Sequence, residues 1–66
     1  VNNRVKQTRR RHGLTLEELA RKSQVGKSTI NDIESGKTIP TIETALKLAK
    51  AMHIRVDQLF YLDGDI

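Results

Sequence analysis

The chain of 66 residues contains no cysteine, no tryptophan and a single proline, and its only aromatic residues are Phe60 and Tyr61. Without cysteine, neither a disulfide nor a thiolate zinc site can stabilise the fold. Two adjacent aromatic residues argue against a stacking platform for single-stranded nucleic acid. The apolar runs are far shorter than the ~20 residues of a membrane span, and no signal-peptide pattern opens the chain. These absences predict one small domain over residues 1–66, with the cytoplasm as its expected compartment.

The groupings of side chains that catalysis and metal binding require are also missing. His12 and His53 are isolated in the sequence, and the adjacent Glu17 and Glu18 would diverge by about 100° on a helix. We therefore expect no enzyme activity, no metal site, no cofactor and no small-molecule ligand.

Positive charge is concentrated at the beginning of the chain. The net charge is +4, and residues 1–12 carry five cations and no acid: Arg4, Lys6, Arg9, Arg10, Arg11. A local excess of this kind suits a polyanionic partner, with phosphate as the leading candidate. Taken alone, the block is explained equally well as the solvated face of a basic helix.

Five segments with helical patterns are separated by glycine, proline and polar turns. The first, at about residues 2–12, ends before Gly13, whose position suits a left-handed C-terminal cap. The second begins with Thr15 and Glu18 at the spacing of a capping box, in which each side chain satisfies a backbone N–H at the helix start. The third runs from about 27 to 35 and is mostly polar.

The apolar spacing defines the buried side of the remaining helices. In the third segment Ile30 and Ile33 lie one turn apart. The fourth helix is predicted from apolar residues at i, i+3, i+4 and i+7 positions: Ile42, Ala45, Leu46, Ala49, Met52. A short last helix at about 56–61 is expected to fold back over the core. Little or no strand is expected, with the tail 62–66 as the one place of doubt.

The spacing of these residues resembles that of the Xre/Cro family of helix-turn-helix proteins. The matching positions are Leu14-Thr15-x-x-Glu18-Leu19-Ala20, Val25, Ser28-Thr29-Ile30, Ile33-Glu34-x-Gly36, Pro40, Leu46-x-x-Ala49-x-x-Met52 and Asp57-x-x-Phe60. They extend over roughly residues 4–60. The resemblance implies an all-α fold, a compact five-helix bundle of the phage-repressor type with its helix-turn-helix at about 15–35. It also implies a small transcriptional regulator that binds duplex DNA, with repression as the expected outcome.

By this resemblance, the segment at about 27–35 is the recognition helix and enters the major groove. With Ile30 and Ile33 on the buried side, the base-contacting residues are expected to be Lys27, Ser28, Asn31, Asp32. Lysine can donate to guanine, and asparagine can pair with adenine. Asp32 can accept from cytosine or repel phosphate. For all four residues the alternative interpretation is a hydrated helix surface.

Contacts to the DNA backbone are expected on both sides of the recognition helix, from Thr15, Ser35, Lys37, Thr38, Arg10, Arg11. The resemblance further implies a structural ion pair between Arg9 and Glu34. The chain has Leu16 where the family often has glutamine, so one phosphate contact is expected to be missing. Gln24 and His53 stand where glycine is usual, and a left-handed conformation at Gln24 would cost ~1 kcal/mol.

One recognition helix reads only a few base pairs, so a homodimer on a pseudo-palindromic operator is expected, with the two recognition helices about 34 Å apart. The interface is expected in the C-terminal third, where the apolar candidates are Phe60, Tyr61, Leu62. Phe60 is equally suited to the core. The same scaffold could instead serve an antitoxin or a protein-binding adaptor, because a fold does not fix a function.

Overall fold

Residues 1–64, which the computed structural model describes, form five helices and one two-stranded sheet. The elements in chain order are β1 (Asn2–Asn3), α1 (Val5–Arg11), α2 (Leu16–Ser23), α3 (Lys27–Glu34), α4 (Ile42–Ala51), α5 (Val56–Leu59) and β2 (Phe60–Tyr61). The predicted helical bundle with a helix-turn-helix is confirmed, and the small sheet is an addition to it.

The hydrophobic core lies between the helices and is formed by Val5, Leu19, Val25, Ile30, Ile33, Leu48, Ala49, Met52, Leu59. α2 packs against α3 on one side and α4 on the other, while α1 packs on α3 and α5 on α4. A domain of this size has few core residues, so shortening one of its large buried side chains is expected to cost about 2–5 kcal/mol. The same core therefore fixes the position of α3 relative to all the other helices.

The side of α4 that faces the core differs from the predicted one. Ala45 and Met52 are buried as expected, but Ile42 is 73% exposed and Leu46 is 51% exposed. The buried stripe includes Leu48 instead, and Ile42 and Leu46 lie roughly 60–110° around the helix from it. Both stripes are apolar, and packing against α2 and α5 selects the one that contains Leu48. The prediction that Ile42 and Leu46 belong to the core was wrong.

The predicted helix-terminal signals at the end of α1 and the start of α2 are present. Glu18 N donates to Thr15 Oγ1 at 3.1 Å and Thr15 N donates to Glu18 Oε1 at 2.8 Å, which confirms the capping box. Gly13 follows α1 with a φ of +69°. Gln24 and His53 also adopt left-handed conformations, with φ of 59° and 54°. Each costs about 1 kcal/mol for a residue with a Cβ, so both positions store backbone strain.

The two ends of the described chain pair with each other, which the sequence did not predict. Asn2 lies opposite Tyr61 and Asn3 opposite Phe60 in an antiparallel arrangement. The first helix therefore begins at Val5 instead of residue 2, and the last helix ends at Leu59 instead of residue 61. The strand is at 60–61, before the tail 62–66 in which it was considered, and residues 65 and 66 of that tail lie outside the described part.

The late start of α1 has a local cause in the side chain of Asn3. Its Oδ1 accepts a hydrogen bond from Val5 N at 3.0 Å, so Asn3 satisfies a backbone donor at the helix start. Asparagine favours such positions because its short side chain competes with helical backbone hydrogen bonds. Arg4 N then donates to Leu59 O at 2.8 Å and continues the pairing to the end of α5.

Candidate nucleic-acid interface

The turn between α2 and α3 is fixed by buried groups. Ser23 is 4% exposed, its Oγ donates to Leu19 O at 2.7 Å, and the same oxygen accepts from Val25 N at 3.3 Å. Val25 is buried in the core, and Gln24 supplies the left-handed residue that reverses the chain. The relative orientation of the two helices is therefore determined by core packing and by a closed set of hydrogen bonds.

The outward side of α3 carries the four residues that were predicted to contact bases. Ile30 and Ile33 are fully buried; Ser28, Asn31 and Asp32 lie on the opposite side of the helix, and Lys27 lies laterally in its first turn. Lys27, Ser28 and Asn31 are exposed, whereas Asp32 is half-buried. These three exposed polar side chains stand on a rigid helix, where they can present donors and acceptors to the edges of base pairs.

Thr29 is a further exposed residue of α3 that the sequence analysis did not assign to this surface. It lies only about 70° from the buried direction by helical periodicity, so periodicity alone predicts a flanking position. In the structure Thr29 is nevertheless exposed to solvent. Thr29 therefore adds a hydroxyl beside Ser28.

Lys27 has a partner on α2 that the sequence did not indicate. Its Nζ donates to Glu17 Oε2 at 2.9 Å, and the two side chains are 54% and 65% exposed. This hydrogen bond from Lys27 holds the pKa of the Glu17 carboxyl below its usual value, with a contribution from the backbone of the helix start. The ion pair connects the beginnings of α2 and α3.

The residues expected at the DNA backbone flank this helix. At the start of α2, Thr15 N and Glu18 N are used by the capping box. The N–H groups of Leu16 and Glu17 lie outside the box, and that of Glu17 hydrogen-bonds its own carboxyl. Thr15 Oγ1 accepts a hydrogen bond from Glu18 N in the capping box, and its own hydroxyl proton can be donated to another group. The side chain of Leu16 packs against the core, which accounts for the loss of a polar side chain at that position.

After α3, the loop presents Ser35, Lys37 and Thr38 to solvent. The Oγ of Ser35 donates to Asp32 O at 3.1 Å, and Lys37 N donates to the same carbonyl at 2.9 Å. Gly36 has a φ of +81°, so the loop turns sharply at a residue without a Cβ. Lys37 therefore lies next to the end of α3.

The three consecutive arginines of α1 have different surroundings. Arg10 and Arg11 are exposed in the last turn of the helix, whereas Arg9 is directed inward. Arg9 Nε donates to Glu34 Oε2 at 2.8 Å and Nη2 donates to Oε1 at 3.2 Å, and the side chains are 11% and 6% exposed. Its Nη1 also donates to Leu14 O at 2.9 Å. The hydrogen bond with Glu34 raises the pKa of Arg9, and the expected structural pair is present.

Asn3 provides a second connection to the end of α3. Its Nδ2 donates to Ile33 O at 3.0 Å, while its Oδ1 accepts from Val5 N. One side chain thus joins β1, α1 and the C-terminal end of the recognition helix. No sequence pattern indicates this contact, because Asn3 and Ile33 are far apart in the chain.

The three residues expected at a dimer interface differ in their environments. Phe60 is half-buried and packs against the core, and the ring of Tyr61 lies under the guanidinium of Arg4, 4.2 Å from its centroid. Leu62 is 63% exposed. Within residues 1–64 there is no group of three or more acids and histidines placed to bind a metal ion. The described helices are all too short or too polar to cross a membrane.

Comparison with known proteins identifies the arrangement of α2 and α3. Residues 5–59 match the helix-turn-helix family. The chain is 37% identical over 65 residues to an HTH-type transcriptional regulator of Methanocaldococcus jannaschii, with 98% of each chain covered. It is 35% identical to one of Archaeoglobus fulgidus, covering 98% of this chain and 93% of the relative, and 33% identical to one of Bacillus subtilis, covering 98% of each.

Proposed function

The chain belongs to the Xre/Cro helix-turn-helix family, and we propose that it is a transcriptional regulator that binds duplex DNA with α3 in the major groove. The observation that carries the proposal is the outward side of α3, where polar side chains stand on a helix whose inward side is fully buried. Such a helix can enter the groove without disturbing the core, because none of its packing residues is needed for contact.

Base contacts in this proposal come from Lys27, Ser28 and Asn31, with Asp32 at the edge. Asn31 can pair with the N6 and N7 atoms of adenine, and Lys27 can donate to the O6 and N7 atoms of guanine. Lys27 exchanges Glu17 for the DNA when it does so. Because both side chains of that pair are more than half exposed, the exchange costs little.

Contacts to phosphates in this proposal frame the recognition helix. Thr15 and the backbone N–H groups at the start of α2 meet one strand, and Ser35, Lys37 and Thr38 meet the backbone beyond α3. Arg10 and Arg11 add positive charge from α1. These contacts supply affinity and register, while the outward side of α3 supplies the sequence preference.

We further propose that two copies of the chain act together on a pseudo-palindromic operator and repress transcription there. A single α3 reaches only a few base pairs, and two-fold related copies would place two recognition helices about 34 Å apart. The compartment in which a regulator meets chromosomal DNA is the cytoplasm, and this localisation stays a prediction.

The experiment that tests the proposal is a binding selection with the wild-type chain on random duplexes. We expect one enriched sequence with two-fold symmetry, and binding that weakens steeply as salt rises. Recovery of no enriched sequence would contradict the proposal. If the chain then captured a protein partner in a salt-insensitive manner, the scaffold would be an adaptor or an antitoxin.

A further inference from the structure

A cleft of about 580 Å³ is formed by the end of α2 and the end of α4. Its lining residues come from the ranges 22–24 and 47–53, and none of them belongs to α3 or to the loop after it. Small-molecule sites in proteins have volumes of about 300–1,000 Å³. A water molecule occupies about 30 Å³ in the liquid, so the cleft is larger than a single phosphate group requires. Its size suits a small molecule.

The cleft is lined by cations and by no acid. Lys22 comes from α2, and Lys47 and Lys50 come from α4, where they lie one turn apart. Lys47 pairs with Glu43 at 3.1 Å, whereas Lys22 and Lys50 form no ion pair within residues 1–64. Glu18, one turn before Lys22, is engaged in the capping box. Two lysines on different helices therefore line the cleft without a neutralising partner among the described residues.

Compensation of the helix ends accounts for part of this charge. The C-terminal end of a helix carries about half a negative charge, which a lysine in the last turn offsets. Lys22 and Lys50 lie in the last turns of α2 and α4. Together they exceed the two helix ends by about one positive charge, and Lys47 adds an exposed cation whose partner lies outside the cleft. The surplus favours an anionic ligand.

Two strained backbone positions line the same cleft. Gln24 has a φ of 59° and His53 a φ of 54°, and no other residue with a Cβ in the described part of the chain has a positive φ. Glycine adopts this conformation without steric cost, so both side chains are kept against the local preference. Neither side chain forms a hydrogen bond within residues 1–64. An amide and an imidazole are therefore available to a ligand beside the lysines.

We propose that this cleft binds a small molecule with two or more phosphate groups, held by Lys22 from α2, Lys50 from α4 and the side chains of Gln24 and His53. Lysine attracts phosphate as a compact point charge. The lining contains no arginine, so it lacks the planar fork that binds a peptide carboxylate through paired hydrogen bonds. The proposal revises the expectation of no small-molecule ligand, because the cleft joins two segments that are distant in the sequence.

A ligand in this cleft would act on the turn of the helix-turn-helix. α2 ends at Ser23, and Gln24 is followed directly by Val25, which is buried in the core before α3. A ligand that binds Gln24 therefore holds the turn that orients α3. Its binding stabilises the folded chain in proportion to its affinity and concentration. The site does not depend on the proposed DNA function, because it shares no residue with the proposed DNA contacts.

The first experiment titrates the wild-type chain with inorganic pyrophosphate at constant ionic strength and follows the backbone amide signals by NMR. We expect saturable shifts at residues 22–24 and 47–53. Shifts that spread evenly over all basic segments, or that are largest at Arg10 and Lys37, would overturn the proposal. A nucleoside diphosphate is titrated in parallel. Tighter binding than that of pyrophosphate at the same residues would identify a phosphate ester as the ligand, and weaker binding would identify free polyphosphate.

A pair of charge variants tests whether the cleft or the net charge attracts the anion. Lys50→Gln removes a cation from the cleft, and the matched control Lys6→Gln removes one from an exposed position on α1. The Kd for pyrophosphate should rise at least fivefold in Lys50→Gln and stay within twofold of the wild type in Lys6→Gln. Equal weakening in the two variants would overturn the proposal.

Glycine variants separate ligand binding from a structural role of the strained residues. Gln24→Gly and His53→Gly relieve the left-handed strain, so each should raise the Tm of the chain without ligand. Each also removes a ligand-binding side chain, so the Kd for pyrophosphate should rise about threefold or more. Opposite signs of the two effects are expected only if these side chains contact the ligand. A raised Tm with unchanged affinity in both variants would contradict the site as proposed.

Two further titrations distinguish a small molecule from a macromolecule, with a polyglutamate peptide and with duplex DNA as probes. Shifts at the cleft with either probe, and none with pyrophosphate or the nucleoside diphosphate, would overturn the proposal. If pyrophosphate binds at the cleft and the chain selects no DNA sequence, the ligand site stands and the proposed DNA function fails. If the chain selects a sequence and neither phosphate probe shifts the cleft residues, the reverse holds.

Discussion

The two ends of the recognition helix are each joined to another helix by an ion pair, and the two pairs differ in exposure. At the start of α3, Lys27 and Glu17 are more than half exposed, and a single hydrogen bond joins them. At its end, Arg9 and Glu34 are nearly buried, are joined by two hydrogen bonds, and share the site with a bond from Arg9 to Leu14 O. In the proposed complex the first pair is exchanged for DNA, whereas the second is part of the fold.

This difference suits a helix that must be rigid and yet offer a cation to a ligand. A buried pair that loses one partner leaves an uncompensated charge, so it is costly to break. An exposed pair is worth little, because water and salt replace either partner. The C-terminal end of α3 is further held by Asn3, which donates to Ile33 O. We therefore expect stability to depend on the end of the helix and DNA recognition on its beginning and outward side.

The largest effect on stability is expected for Arg9→Ala. The variant leaves Glu34 buried without its partner and removes a donor to Leu14 O, so we expect a loss of about 2–3 kcal/mol. For a domain of this size that corresponds to a fall of roughly 10–20 °C in Tm. DNA affinity should fall with it. The matched control is Arg11→Ala, which should lower DNA affinity alone, and equal Tm values for the two variants would contradict the comparison.

A smaller loss is expected for Asn3→Ala. It removes the helix-start hydrogen bond to Val5 N and the bond to Ile33 O, and we expect a cost of about 1 kcal/mol. Asn2→Ala is the matched control, because Asn2 lies in the same strand and its side chain bonds only the exposed Asp63 among the described residues. Hydrogen exchange at the end of α3 should accelerate in Asn3→Ala and not in Asn2→Ala. Faster exchange in Asn2→Ala than in Asn3→Ala would contradict a role of Asn3 in holding the end of α3.

At the exposed pair we expect an effect on DNA affinity and none on Tm. Glu17→Gln removes an acid next to the proposed phosphate contacts and releases Lys27, so binding to any duplex should become a few-fold tighter at low salt. Glu43→Gln is the matched control, because Glu43 also pairs with an exposed lysine, Lys47, but within α4 and not with a residue of α3. A change of equal size in both variants would show that only net charge matters.

The smallest effect concerns the titration of Glu17. Its pKa lies below the usual 4.5 because Lys27 donates to the carboxylate, so the pair is complete above pH 4.5 and is lost as the pH falls through the lower folded value. In Lys27→Ala the pKa of Glu17 should rise toward 4.5, as measured by NMR of the side-chain carboxyl. An unchanged pKa would mean that the backbone of the helix start alone lowers it.

The features that could be predicted from the sequence depend on residues that are close together in the chain. The capping box of Thr15 and Glu18 depends on a spacing of three residues, and the outward placement of Ser28 and Asn31 follows from helical periodicity once Ile30 is buried. These features needed no knowledge of the rest of the fold. The base and phosphate contacts themselves stay predictions.

What could not be predicted depends on contacts between distant residues. α4 carries two apolar stripes, and only packing against α2 and α5 decides that Leu48 is buried and Ile42 exposed. The pairing of β1 with β2 and the bond from Asn3 to Ile33 O join opposite parts of the chain. Short strands of two residues and single side-chain bonds leave no periodic pattern. The hydrogen bond from Lys27 to Glu17 also leaves no pattern in the sequence, because nothing in either residue type indicates that the two meet across the turn between α2 and α3.

The central claim is that the outward side of α3 selects the DNA sequence, whereas the loop after α3 binds phosphate without sequence preference. Its most direct test compares the DNA affinities of Asn31→Ala and Lys37→Ala, on the selected operator and on unrelated DNA, over a range of salt concentrations. We predict that Asn31→Ala lowers the ratio of specific to non-specific affinity by roughly tenfold at one base position, with the salt dependence unchanged. Lys37→Ala should weaken binding to all sequences alike and reduce the salt slope by about one. Equal loss of specificity in both variants, or none in Asn31→Ala, would contradict the account.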